Sequence, residues 1–141
     1  MNRIKGVLSG NRGGVNQFVA TVVCMLAILM LFLALTAGMK AYNQYSTLND
    51  FANQLVYTAS NTGRCSGADI DRRYTELSAA TGLSPQYEFS GTWFNSHDKT
   101  VQYGSTITLQ LTLPTSLSAI GINIPITLQI EKTAESQHYW K

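Results

Sequence analysis

The sequence predicts an α+β fold: a long N-terminal membrane-spanning helix, one short helix, and an antiparallel sheet of three or four strands packed on helix. Three observations predict it. An uncharged apolar run fills Phe18 to Met39, helical periodicity continues from Lys40 to Ser60, and beyond Pro85 the apolar spacing changes to two. A chain of 141 residues suits one small domain plus an appendage.

The apolar run is interrupted only by Thr21, Thr36 and Gly38. At 1.5 Å per residue its positions span about 33 Å, enough for a hydrocarbon core of about 30 Å. A secretory signal has a shorter apolar region and a small-x-small cleavage site, whereas the best candidate here, Leu35-Thr36-Ala37, begins with a bulky residue. Arg3, Lys5 and Arg12 precede the run and no acid does, so the expected orientation is N-terminus in and the remainder out. The organisation expected is a basic cytoplasmic leader over 1–17, a transmembrane helix over 18–39, an amphipathic continuation over 40–62, and an extracytoplasmic α+β domain over 63–141.

Past the run, Ala41, Tyr45, Leu48, Ala52, Leu55 and Ala59 recur at spacings of four and three, one stripe along a helix. No proline interrupts it and the first breaker is Asn61-Thr62-Gly63, so one helix is expected from about Val15 to about Ser60. A second helix is marked by Ser66 with Asp69 as a capping-box variant and by Gly82 as a stop. Ile70, Tyr74 and Leu77 form its apolar face, leaving Asp71, Arg72, Arg73 and Glu76 for solvent.

Three segments alternate as half-buried strands do. They are Tyr87-Phe89-Trp93, Ile107-Leu109-Leu111-Leu113 and Ile122-Ile124-Ile126-Leu128-Ile130. The polar segments Asn95 to Lys99 and Pro114 to Ser118 are expected as the connections. Pro125 cannot donate to a ladder and belongs at a strand start or on an edge.

The chemistry-bearing residues do not converge in sequence. His97 and Asp98 read as solvated turn residues, Gly13-Gly14 lacks the Lys-Ser or Lys-Thr pair of a phosphate loop, and no serine occupies a nucleophile elbow. One cysteine beyond the run and two distant histidines make no metal set. Neither a cofactor nor catalysis is expected. Beyond Lys40 eight acids face six bases, and Arg72-Arg73 is the nearest approach to a basic patch, which argues against a nucleic-acid partner. Cys24 and Cys65 cannot meet if the run spans a bilayer. Cys65 is then a small buried thiol or, as the sharper alternative, a bridge to a partner.

A basic leader, glycine, a long helix starting in the membrane and a distal antiparallel sheet together resemble type IV pilins and pseudopilins, in particular TadE-like minor pilins of tight-adherence systems. The detail is most similar to a Gram-positive family of uncharacterised TadE-like proteins. In that family an Arg-Gly pair precedes the helix, as Arg12-Gly13 does here. A segment like "YGSTITLQL" leads the central strand, and the chain ends in a motif like Ser136-Gln137-His138-Tyr139-Trp140-Lys141. The resemblance covers most of the chain. It implies processing at Gly13 or Gly14, assembly through the membrane helix, and partners among membrane lipid, other pilin-like subunits and secretion machinery.

One departure is physical. Tight-adherence pilins carry a glutamate before an aromatic residue past the processing glycine, and this chain has Gln17-Phe18. Gln17 offers hydrogen bonds but no charge, which favours a minor or membrane-retained subunit over a major one. Ala20, Ala27 and Ala34 recur every seven residues and are the candidate face for helix assembly. Two other functions are carried as alternatives: a membrane-anchored extracellular binding module, and a secreted enzyme whose leader is removed near Ala37.

Overall fold

A 50-residue stretch from Leu8 to Tyr57 without proline, rich in leucine, alanine and methionine, has little to stop a helix once it starts. In the computed structural model, which describes residues 7–119 and 122–141, helix α1 runs without a break over Val7–Thr62. It starts earlier and ends slightly later than its periodicity predicts, and Gly13 and Gly14 lie inside it. Arg3 and Lys5 lie outside the described residues. Helix α2 (Ala68–Thr81) follows, then strands β1 (Gln86–Gly91), β2 (Thr106–Ala119) and β3 (Ile122–Glu135). The strands form one antiparallel sheet in the order β1-β2-β3. The layout is α+β and pilin-like, a sheet laid on the distal half of a long helix.

The two halves of α1 differ by what touches them. From Gly14 to Lys40 no residue is buried, whereas Leu48, Phe51, Ala52, Leu55, Val56 and Ala59 enter the core. There they meet Ile107, Leu109, Leu111 and Leu113 of β2 and Ile130 of β3. Phe51 and Val56 widen the predicted stripe, while Tyr45, assigned to it by spacing, is exposed. Packing on a sheet takes a broad helix face, so the residues flanking the narrow i, i+4, i+7 line are buried as well.

α2 lies against α1 through Ile70 and Leu77, with Tyr74 half-buried. Its N-terminus departs from the predicted capping box. The cap position is Gly67, without a side-chain cap, because the Ser66 hydroxyl donates instead to the Asp98 carbonyl at 2.9 Å. Asp69 and Asp71 in the first turn supply favourable charge for the helix dipole. The stop is as predicted: Gly82 takes φ +69° and its N–H donates to the Ser78 carbonyl at 2.9 Å. Arg73 does not simply face solvent, since its guanidinium donates to Gln54 Oε1 of α1 at 2.6 Å and also meets Glu76 at 3.1 Å. A row of rings, Phe51, Tyr74, Tyr87 and Phe89, with successive centroids 5.5, 5.1 and 5.9 Å apart, ties α1 and α2 to β1.

The sheet corrects two boundaries. Trp93 lies beyond β1, which ends at Gly91. Pro114 to Ser118 are not a loop but the continuation of β2, paired from Pro114↔Thr127 to Ser118↔Asn123. β1 pairs with β2 only as far as Gln86↔Thr112, so beyond that point β2 and β3 form a two-stranded arm. A proline is tolerated there because one side of each strand is free, and Pro125 lies on edge strand β3 as expected.

Candidate functional site

Two places are candidates for function, the exposed half of α1 and the end of the domain where residues 136–141 return to the helix. On α1, the side chains of Ala20, Ala27 and Ala34 are exposed and the sevenfold spacing puts them near one another on one face. Gln17 is exposed as well, and its carbonyl accepts from the Thr21 hydroxyl at 2.9 Å. Thr36 likewise donates to the Leu33 carbonyl at 2.9 Å. Both hydroxyls of the apolar run are therefore satisfied within the helix, which removes a cost of placing them in hydrocarbon. Gly14 has open space around it: a Cβ there would meet no atom within 4 Å. The helix from Gly14 onward is long and apolar enough to cross a membrane.

At the other end, Gly63 terminates α1 with φ +62°, and its carbonyl accepts from Val101 N at 2.8 Å. The 136–141 segment closes over it. Ser136 is buried, and its hydroxyl donates to the Val101 carbonyl at 3.0 Å. Gln137 N donates to the Ser60 carbonyl at 2.9 Å, and the Ser60 hydroxyl donates to the Glu135 carbonyl. Gln102 brackets Trp140 from both sides, accepting from its backbone N–H at 2.7 Å and donating to its carbonyl at 2.9 Å. The indole lies over Gly63, 4.4 Å between centroids from His138 and 4.9 Å from the Arg64 guanidinium carbon. Trp140 clasps the end of α1 and Tyr139 is exposed.

This clasp went unseen in the sequence because it depends on glutamine and glycine atoms brought together across long separations. The signal available was the unusual density of hydrogen-bonding and aromatic residues in Ser136-Gln137-His138-Tyr139-Trp140. An open groove beside it is lined by Asn61, Thr62, Arg64, Asp69, His138 and Trp140. Among the described residues no three His, Cys, Asp or Glu side chains converge as metal ligands would. His97 and Asp98 are exposed in a turn where Asn95 Oδ1 accepts from His97 N at 2.9 Å.

Cys65 is 3% exposed in the core, and burial pushes its thiol up to about 12, partly offset by the charge of Lys99. The geometry fits a small buried thiol. A bridge to a partner would need an exposed sulfur that ionises more readily, and Cys65 offers neither. Cys24 is exposed on the apolar half of α1.

These features define an α+β protein of pilin-like layout. Residues 23–141 match the family described as a domain of unknown function (DUF4320), and the chain belongs to that family. No curated protein matches the chain. No solved structure matches it either.

Proposed function

We propose that the protein is a non-enzymatic, pilin-like structural component, a minor pilin or pseudopilin, of an envelope secretion or adhesion apparatus. In this reading α1 crosses the cytoplasmic membrane once with its N-terminus inside, and the sheet domain makes protein contacts outside. One observation carries it: α1 is a single helix whose distal half is the spine of a folded domain while its apolar half, from Gly14 to Lys40, contributes no buried residue to that domain's core. Such a surface is satisfied by lipid before assembly and by neighbouring helices after it. Ala20, Ala27 and Ala34 are the face assigned to neighbours, and Gly13 or Gly14 the processing position. Gln17, without charge, fits a subunit present in few copies.

The test is mass spectrometry of the mature protein together with helix crosslinking in cells that carry the machine. An N-terminus created at Gly13 or Gly14, and crosslinks at the alanine face that Ala27→Leu abolishes, are the expected results. A mature N-terminus near residue 38 would point to the secreted enzyme. An uncut, strictly monomeric protein would point to the anchored binding module.

A further inference from the structure

We propose that the arm formed by β2 and β3 is a second membrane-contact site, with Leu117, Ile122 and Ile124 entering the leaflet on the domain's side of the bilayer, beside α1. This rests on the reading of α1 as a membrane span.

The sheet is fixed to the helix at two levels. The Ser60 hydroxyl donates to the Glu135 carbonyl, and Glu135 pairs with Thr106. Further along, the Thr115 hydroxyl donates to Gln44 Oε1 at 3.1 Å. β2 therefore runs back along α1 toward its N-terminal half. Between the two levels the helix rises about 24 Å while the strand covers about 30 Å, so about four-fifths of the strand's length is directed along the helix. Continuing from Thr115 to Ala119 adds about 13 Å of strand, or about 10 Å along the helix. That brings Ala119 and its partner Ile122 level with about residue 37, inside the Phe18 to Met39 apolar run.

A separate observation agrees. Leu33, Ala37, Ala41 and Gln44 are half-buried, while most of their neighbours on the helix are exposed. Spaced by four, four and three, they extend the core stripe of Leu48, Ala52, Leu55 and Ala59 down the helix into the apolar run.

The arm is chemically suited to lipid. From Thr100 to Ile130 the chain carries no charged residue. Ile122 and Ile124 pair with Ala119 and Leu117 and, by the alternation that buries Ile130, share the face of the sheet turned toward α1. They are nonetheless 64% and 55% exposed, lying in the part of the sheet that only β2 and β3 form. Their apolar surface is thus continuous with that of the helix at the same level. On the opposite face the Ser118 hydroxyl is bonded to Asn123 Oδ1, so one polar pair is already satisfied. Tyr42 and Tyr45, both exposed, lie just beyond Lys40, where tyrosines gather at a membrane–water boundary.

The experiment uses the full chain with Cys24→Ala, reconstituted at low density in phosphatidylcholine vesicles. Single cysteines at Ile124→Cys, Leu29→Cys and Ser96→Cys carry an environment-sensitive fluorophore. Buried Cys65 stays unlabelled, which the parent without an added cysteine verifies. Nitroxide lipids labelled at shallow or deep acyl positions serve as quenchers. The Ile124 probe is expected to shift to the blue and to be quenched by the shallow nitroxide, the Leu29 probe by the deep one, and the Ser96 probe by neither. If Leu29 is quenched while Ile124 behaves as Ser96 does, the arm proposal is overturned and the span stands. If Leu29 is not quenched, the span itself fails and the arm proposal falls with it. Ile124 is exposed, so its replacement leaves the fold in place for either outcome.

Discussion

Replacing Gly63 by alanine tests the clasp because two separate costs meet at that position. The first is conformational: at φ +62° an alanine adopts the left-handed region at a cost of about 1–2 kcal/mol. The second is steric. The added Cβ would lie 2.7 Å from His138 Cβ, 2.8 Å from Trp140 Nε1 and 3.2 Å from the Val101 carbonyl oxygen, so the clasp must move. Relief of such overpacking costs about 1–3 kcal/mol, for a total of about 2–5 kcal/mol. Gly82 is the internal control. Its φ is similar, +69°, but a Cβ there meets nothing within 4 Å, so Gly82→Ala carries the conformational cost alone, about 1–2 kcal/mol. Urea unfolding of the full chain in a nonionic detergent, followed by tryptophan fluorescence, measures both variants, and the comparison holds where the denaturant slope is unchanged. Trp140→Ala should cost less in the Gly63→Ala background than alone. Equal destabilisation at the two glycines would refute the claim that the 136–141 segment is packed against the end of α1.

Three further outcomes are expected. Leu29→Arg places a charge mid-run, worth about 2.5–3.5 kcal/mol against insertion, and should move protein from the carbonate-washed membrane pellet to the soluble or aggregated fraction; wild-type protein wholly in the soluble fraction would refute the anchor. Cys65, whose folded pKa is raised from 9.0 to about 12, contributes stability that is complete below pH 9 and is lost as pH rises from there toward 12. Cys65→Ala should flatten that decline, and a thiol reagent at pH 8 should label Cys65 only on unfolding. Ser136→Ala leaves the Val101 carbonyl without its side-chain donor in a buried position and should cost about 1–3 kcal/mol in the same urea assay, with Thr133→Ala on the exposed face of β3 near neutral.

Periodicity made the elements legible where one face of a regular element decides burial. The four alternate residues Ile107, Leu109, Leu111 and Leu113 are all buried, and Gly82 ends α2 as its position implies. Misreadings arose where a local rule competed with a tertiary contact. Ser66 was available to cap α2 but bonds to Asp98, and Pro114 reads as a turn residue although a two-stranded arm accommodates it. Ile122 and Ile124 alternate as core residues do, yet the arm carries them past the end of the core. Spacing alone puts Ala20, Ala27 and Ala34 near one another on α1, in a stretch where residues 14–32 are all exposed alike. The clasp could not be read from spacing, since Gly63, Gln102 and Trp140 share no pattern in the sequence.

The continuity of α1 has a mechanical consequence. With no breaker between the apolar run and the core, the sheet domain is mounted on a rigid lever whose outer arm, Lys40 to Thr62, is about 33 Å long. Membrane helices accommodate bilayer thickness by tilting, and their tilt averages about 20°. Across such an arm that angle becomes a lateral displacement of about 11 Å at the far end, where Trp140 grips Gly63. For a protein anchored through α1, bilayer thickness is converted into the lateral position of the outer domain, and vesicles of graded acyl-chain length would read it as a change in the tilt of α1 from the bilayer normal.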